Sequence, residues 1–142
     1  MKRVISLILL ILWIVIIFLF SNQSGKVSTS ESDIVVNQLN NIFNINEHIL
    51  VVIVRKFAHI MEYFILYLLT YNCYKKYGIK HKYAIIFCMF CSLIDEIHQL
   101  FINGRSGQIT DIFVDFIGII IGYIIIEVIY GKKKETKENC SA

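Results

Sequence analysis

Residues 109–130 read ITDIFVDFIGIIIGYIIIEVIY. The stretch is long enough to cross a bilayer, which takes about 20 apolar residues in a helix. Its polar exceptions are ordered. Asp111, Asp115, Gly118 and Gly122 fall at i, i+4, i+7 and i+11, one stripe of an α-helix. The stripe starts acidic and continues as glycine, which lets a second helix approach closely. Glu127 stands near the far end, and Lys132, Lys133, Lys134 and Lys137 follow.

Working outward, three more apolar runs occupy about 4–20, 49–74 and 83–102. The chain has 142 residues, 56% hydrophobic and only 18% charged, with a mean hydropathy of +0.63. Soluble domains carry about 25% charged residues. A large soluble catalytic domain, a disordered chain and a disulfide scaffold are therefore excluded. The expected fold is all-α: an integral membrane bundle of four transmembrane helices over residues 1–130. A polar outer segment covers 21–48, and a basic tail, read as disordered, covers 131–142. The first run, 17 residues long, exceeds a usual signal-peptide core and lacks a small-x-small cleavage site, so it reads as an uncleaved span. Within 21–48, Val35, Leu39, Ile42 and Phe43 recur at helical spacing and suggest a short amphipathic connecting helix.

Basic residues set the orientation. Lys2 and Arg3 precede the first run, Lys75, Lys76, Lys80 and Lys82 separate the second and third, and four lysines follow the fourth, making ten of the fourteen Lys and Arg residues. Four spans put all three groups on one side, so both termini are expected in the cytoplasm. No segment joins a basic face to interleaved aromatics, and no nucleic-acid partner is expected.

A charge at the centre of a membrane helix costs roughly 2.5–3.5 kcal/mol on insertion scales. Arg55, His59 and Glu62 nevertheless share a stripe at i, i+4 and i+7, with Lys56 and Tyr63 beside it. Asp95 and Gln99 are four apart on the third helix, flanked by Glu96 and His98. Alternating helix directions place these stripes, with Asp111 and Asp115, in the outer half of the membrane. Three helices are then expected to converge on one outward-opening polar pocket. His59, Glu62, Asp95, Glu96 and His98 are the candidate acid–base residues. Arg55, Lys56, Gln99, Arg105, Asp111 and Asp115 are the candidate ligand-binding residues. Arg55 and Arg105 are expected to neutralise some of the carboxylates. The same residues could instead form a polar lock between helices. Their spacing fits no established zinc or di-iron pattern, so neither metal nor other cofactor is expected. Cys88 and Cys91 form a C-x-x-C pair inside an apolar helix and read as buried structural thiols.

The motifs in order also carry a resemblance. Phe20-Ser21-Asn22-Gln23-Ser24-Gly25, then Arg55-Lys56-Phe57-Ala58-His59-Ile60-Met61-Glu62-Tyr63, then Asp95-Glu96-Ile97-His98-Gln99-Leu100-Phe101, Gly104-Arg105-Ser106-Gly107, Asp111 and Asp115 resemble the VanZ-like family of small bacterial membrane proteins over roughly residues 1–130. That family commonly has asparagine where this chain has Asp115, which changes the charge of the pocket. It is named for a protein associated with teicoplanin resistance. The resemblance implies a role at the cell envelope, in the bacterial cytoplasmic membrane. The partners it suggests are membrane lipid, a lipid-linked cell-wall precursor or a lipoglycopeptide. Whether the pocket binds or catalyses stays open at this point. A proton-coupled carrier ranks below both, because the polar stripe stops in the outer half.

Overall fold

The described residues form four helices: α1 (Lys2–Ser21), α2 (Glu47–Tyr77), α3 (Lys82–Gln99) and α4 (Ile109–Asn139). The computed structural model describes residues 2–22, 47–102 and 108–139, and there is no strand among them. The expected helix within 21–48 falls almost wholly on 23–46 and lies outside the described residues.

Each apolar run gives one helix because it holds no proline and no interior glycine outside α4. The connection from α2 to α3 is short and has a local cause. Gly78 adopts φ +75°. Its N–H donates to the Lys75 carbonyl at 3.3 Å, and the Ile79 N–H donates to the Tyr74 carbonyl at 2.9 Å. This pair of bonds is a Schellman motif, and glycine takes the left-handed position without steric cost. α3 ends at Gln99, short of residue 102. α4 does not stop at residue 130 but continues to Asn139. The tail expected to be disordered is therefore helical through most of its length. Beyond Gly131, no glycine or proline interrupts it before residue 139, and its lysines and glutamates favour helix.

α2 is central and packs against the other three helices, most extensively against α4. The chain reverses between successive helices, so α2 and α4 run parallel. Buried residues divide along the bundle. Tyr67, Cys73, Ala84 and Cys88 fill the half nearer the basic loop, whereas His59, Ser92, Asp95, Glu96, Gln99, Asp111 and Asp115 fill the other. The exterior is the reverse of a soluble protein's: Phe57, Ile86 and Phe90 are 62%, 62% and 60% exposed, while Asp115 and Gln99 are fully buried. Such a surface suits lipid rather than water.

Two helical segments, Lys2–Ser21 and Ile109–Ile129, are long and apolar enough to cross a membrane by length and composition. α2 and α3 are more polar because they carry the inward-facing groups of the cluster, together with Lys82 at the start of α3.

Candidate functional site

The parallel course of α2 and α4 fixes a register. Lys56 and His59 are one turn apart on α2, and Asp111 and Asp115 are one turn apart on α4. The pairs match in order: Lys56 Nζ lies 3.3 Å from Asp111 Oδ1, and His59 Nδ1 lies 3.2 Å from Asp115 Oδ1. One turn further on, the glycines take over. A Cβ on Gly118 would overlap the Ile60 carbonyl oxygen, and one on Gly122 would come within 2.8 Å of the Tyr67 ring. The glycines bring the backbones together, and the carboxylates then meet the cations of α2.

α3 supplies the third side. Ser92 Oγ donates to Asp115 Oδ2 at 2.6 Å. Asp115 thus joins three helices, one oxygen facing His59 and the other facing Ser92. A carboxylate can only accept, so the His59 bond requires its proton on Nδ1. When His59 is neutral, that tautomer leaves Nε2 as its basic nitrogen. Along α3, Gln99 Nε2 donates to Asp95 Oδ2 at 3.0 Å. Glu96 Oε2 accepts the backbone N–H of Gln108 at 2.8 Å and so ties the end of α3 to the start of α4. Asp111 lies in the first turn of α4, where the helix dipole favours a negative charge.

Several candidates are placed differently from expectation. The cation that reaches Asp111 is Lys56. The adjacent Arg55 is half-buried, and its Nε and one terminal nitrogen have no hydrogen-bond partner among the described residues. Their one-residue offset turns the two cations about 100° apart on the helix, and the close contact at Gly118 selects Lys56. His98 is turned towards α1: its ring lies 5.0 Å from that of Phe18, and its Nε2 has no partner among the described residues. Glu62 is half-buried one turn below His59. Its backbone carbonyl accepts a 3.0 Å bond from Trp13 Nε1 of α1. Arg105 lies outside the described residues. Cys88 is buried and its thiol donates to Thr70 Oγ1 at 3.7 Å, while Cys91 is half-buried and free.

Sequence reasoning missed Ser92 and Gln108. Ser92 had a signal, since Ser92, Asp95, Glu96 and Gln99 follow i, i+3, i+4 and i+7. Extending the α3 stripe back one turn would have reached it. Gln108 contributes only its backbone N–H to Glu96, which side-chain patterns do not reveal.

At one end of the bundle, buried donors and acceptors are thus concentrated with some capacity left open. Oxygens of Glu96 (Oε1) and Gln99 (Oε1) are buried without hydrogen-bond partners among the described residues. No group of three or more His, Cys, Asp and Glu side chains capable of holding a metal ion occurs among the described residues.

A family model described as VanZ/LLP1 matches residues 6–130. No curated protein and no solved structure matches the chain.

Proposed function

The chain belongs to the VanZ/LLP1 family, and from that premise we propose that it is a multi-pass protein of the bacterial cytoplasmic membrane. Its polar end binds the polar part of an envelope amphiphile. In this reading all four helices span the bilayer. Phe57 on α2 and Ile86 and Phe90 on α3 support this, because they present apolar surface where a soluble bundle would be polar. The basic residues at 2–3, 75–82 and 132–137 mark the cytoplasmic side. The polar cluster then faces outward.

The observation that carries the proposal is the set of polar groups there with no hydrogen-bond partner among the described residues. Arg55 offers donors, and Glu96 and Gln99 offer acceptors. Buried polar groups without partners are costly, which favours a ligand that supplies both kinds of group. Lipid-linked cell-wall precursors and lipoglycopeptides carry hydroxyl, amide and anionic groups next to a lipid chain. Family membership directs the first test to glycopeptides. Expression of the wild-type chain is expected to raise the inhibitory concentration of teicoplanin. Arg55→Ala and Glu96→Gln are expected to abolish that rise at equal membrane abundance. No rise with verified wild-type expression would remove the resistance reading.

One observation favours a second reading, an intramembrane enzyme acting on a lipid-linked substrate. Asp115 holds His59 through Nδ1, the arrangement in which a carboxylate orients an imidazole for proton transfer at Nε2. His59 would accept a proton from a substrate hydroxyl or from water, and Arg55 would stabilise developing negative charge. Lipid profiles of wild-type and His59→Ala cells decide between the readings. Identical profiles with full function in the variant would dismiss catalysis.

A further inference from the structure

A cavity of about 90 Å³ lies between α1, α2 and α3, beside the polar cluster. Ile14, Ile17 and Phe18 of α1, Leu66 of α2, and Cys91 and Ile94 of α3 line it, and its surface is almost wholly apolar. Tyr63 and Asp95 border it as well, but the Tyr63 hydroxyl and Asp95 Oδ1 are buried away from it. Water would find no hydrogen-bond partners there, and apolar cavities of this kind stay dry.

The cavity reaches the outside of the bundle on one side. Phe18 and Ile94 line it and are also exposed, at 39% and 37%. They stand on α1 and α3, which pack together less closely than α1 packs on α2. Towards the polar end, the Phe18 ring lies 5.0 Å from the ring of His98 and closes the seam. The way in is therefore lateral, and the nearby positions Val15, Leu19, Phe90 and Ile97 are all exposed and apolar. Depth follows from the helix rise. At 1.5 Å per residue, Cys91–Asp95 lies about 6–12 Å below Gln99 along α3. One leaflet of the hydrocarbon core is roughly 15 Å deep. In the four-span reading the cavity thus opens into the chains of the outer leaflet.

Volume, lining and depth narrow the occupant. The space equals about three waters, which admits a few carbons of a flexible chain but not a fused ring system. Exclusion of water does not drive the entry, because lipid chains are as apolar as the lining. The drive is packing. Side chains around a void lose dispersion contacts on that side, and a chain that enters restores them. We propose that one hydrocarbon chain of an outer-leaflet phospholipid inserts laterally between Phe18 and Ile94 and fills the cavity, so that a bound lipid completes the packing of α1 on α3. The site requires the membrane embedding proposed above but neither glycopeptide binding nor catalysis.

The test uses the full chain, purified in a steroid-based detergent that has no flexible hydrocarbon chain of its own. The probe is a phosphatidylcholine with a diazirine midway along one acyl chain, added at low molar ratio. Residues Ile121–Ile125 on α4 are the reference, because they include exposed apolar side chains and line no part of the cavity. The Ile14–Phe18 and Cys91–Asp95 segments are expected to label about tenfold more than the reference, as filling a void of this size favours the bound chain. Their labelling is expected to saturate at one probe per protein, whereas labelling of the reference rises in proportion to the probe. Unlabelled dioleoyl phosphatidylcholine is expected to compete, and glycerophosphocholine, the same headgroup without chains, is not. Ile14→Trp and Cys91→Leu each fill the cavity from a different helix and are expected to lower its labelling to the reference level. Equal labelling of cavity and reference in the wild-type chain overturns the proposal, as does competition by the chainless headgroup. Both comparisons are made on the wild-type chain, so they stand even where a variant fails to fold. Since no antibiotic enters the assay, it can fail while the glycopeptide reading holds, and the reverse.

Discussion

Gly118 of α4 rests against the backbone carbonyl of Ile60 in α2, with no room for a side-chain carbon between them. Gly118→Ala therefore forces the two helices apart, and overpacking of this kind typically costs about 1–3 kcal/mol. Thermal unfolding in detergent is expected to show a clear fall in midpoint. Gly122→Ala is expected to cost less, because its neighbour is the Tyr67 ring, a side chain that can shift, rather than backbone. Equal effects of the two substitutions would contradict the close approach.

The His59–Asp115 contact is buried on both sides, with side-chain exposures of 8% and 0%. Removing either partner leaves the other without its counterpart. Such losses run to about 3–5 kcal/mol when a buried charge is left unpaired. The double variant His59→Ala/Asp115→Ala is expected to cost clearly less than the two single losses added together. Simple additivity in a double-mutant cycle would show that the two residues do not interact.

Ser92→Ala leaves Asp115 Oδ2 without its 2.6 Å donor. A lost hydrogen bond that leaves a buried acceptor unsatisfied costs about 1–3 kcal/mol, and more for a charged group. Ser92→Thr keeps the hydroxyl and is expected to retain more stability than Ser92→Ala. Denaturation of the purified variants side by side checks the order.

Lys56 is different, since its side chain is 41% exposed although Asp111 is only 6% exposed. An exposed ion pair contributes at most about 1 kcal/mol. Lys56→Gln is therefore expected to accumulate in membranes at nearly the wild-type level. A collapse in abundance would mean that Lys56 is a structural keystone.

Topology can be measured directly. Alkaline phosphatase fused after residue 46 or 104 is expected to be active, because those points lie outside the cell in the four-span reading. A fusion after residue 79 or 139 is expected to be inactive, and a cytoplasmic reporter there to be active. The opposite pattern would place the polar cluster on the cytoplasmic side and remove its access to envelope ligands.

A close helix approach at α4 was legible because the stripe Asp111, Asp115, Gly118 and Gly122 encodes a helix face without reference to tertiary structure, but that α2 is the partner was not. Which α2 residues it meets was less legible. Arg55 and Lys56 are adjacent and chemically alike, and only the rotation imposed at Ile60–Gly118 separates them. His98 shows the same difficulty: its spacing places it near Asp95, but helix rotation turns its ring to Phe18. The helical continuation beyond residue 130 was obscured because a highly charged sequence can be either disordered or helical. Spans were expected at all four apolar runs, whereas among the described residues only Lys2–Ser21 and Ile109–Ile129 are long and apolar enough to cross a membrane, because the polar residues of α2 and α3 lower their apolarity.

The matched order of Lys56–Asp111, His59–Asp115, Ile60–Gly118 and Tyr67–Gly122 has a mechanical consequence. A slip of one residue between α2 and α4 would mismatch every rung together, so these helices behave as a rigid spine. α1 is held more lightly, with the indole of Trp13 on the Glu62 carbonyl as its anchor across the bundle. Relative movement of the helices is therefore expected to fall on α1, while the spine keeps its register.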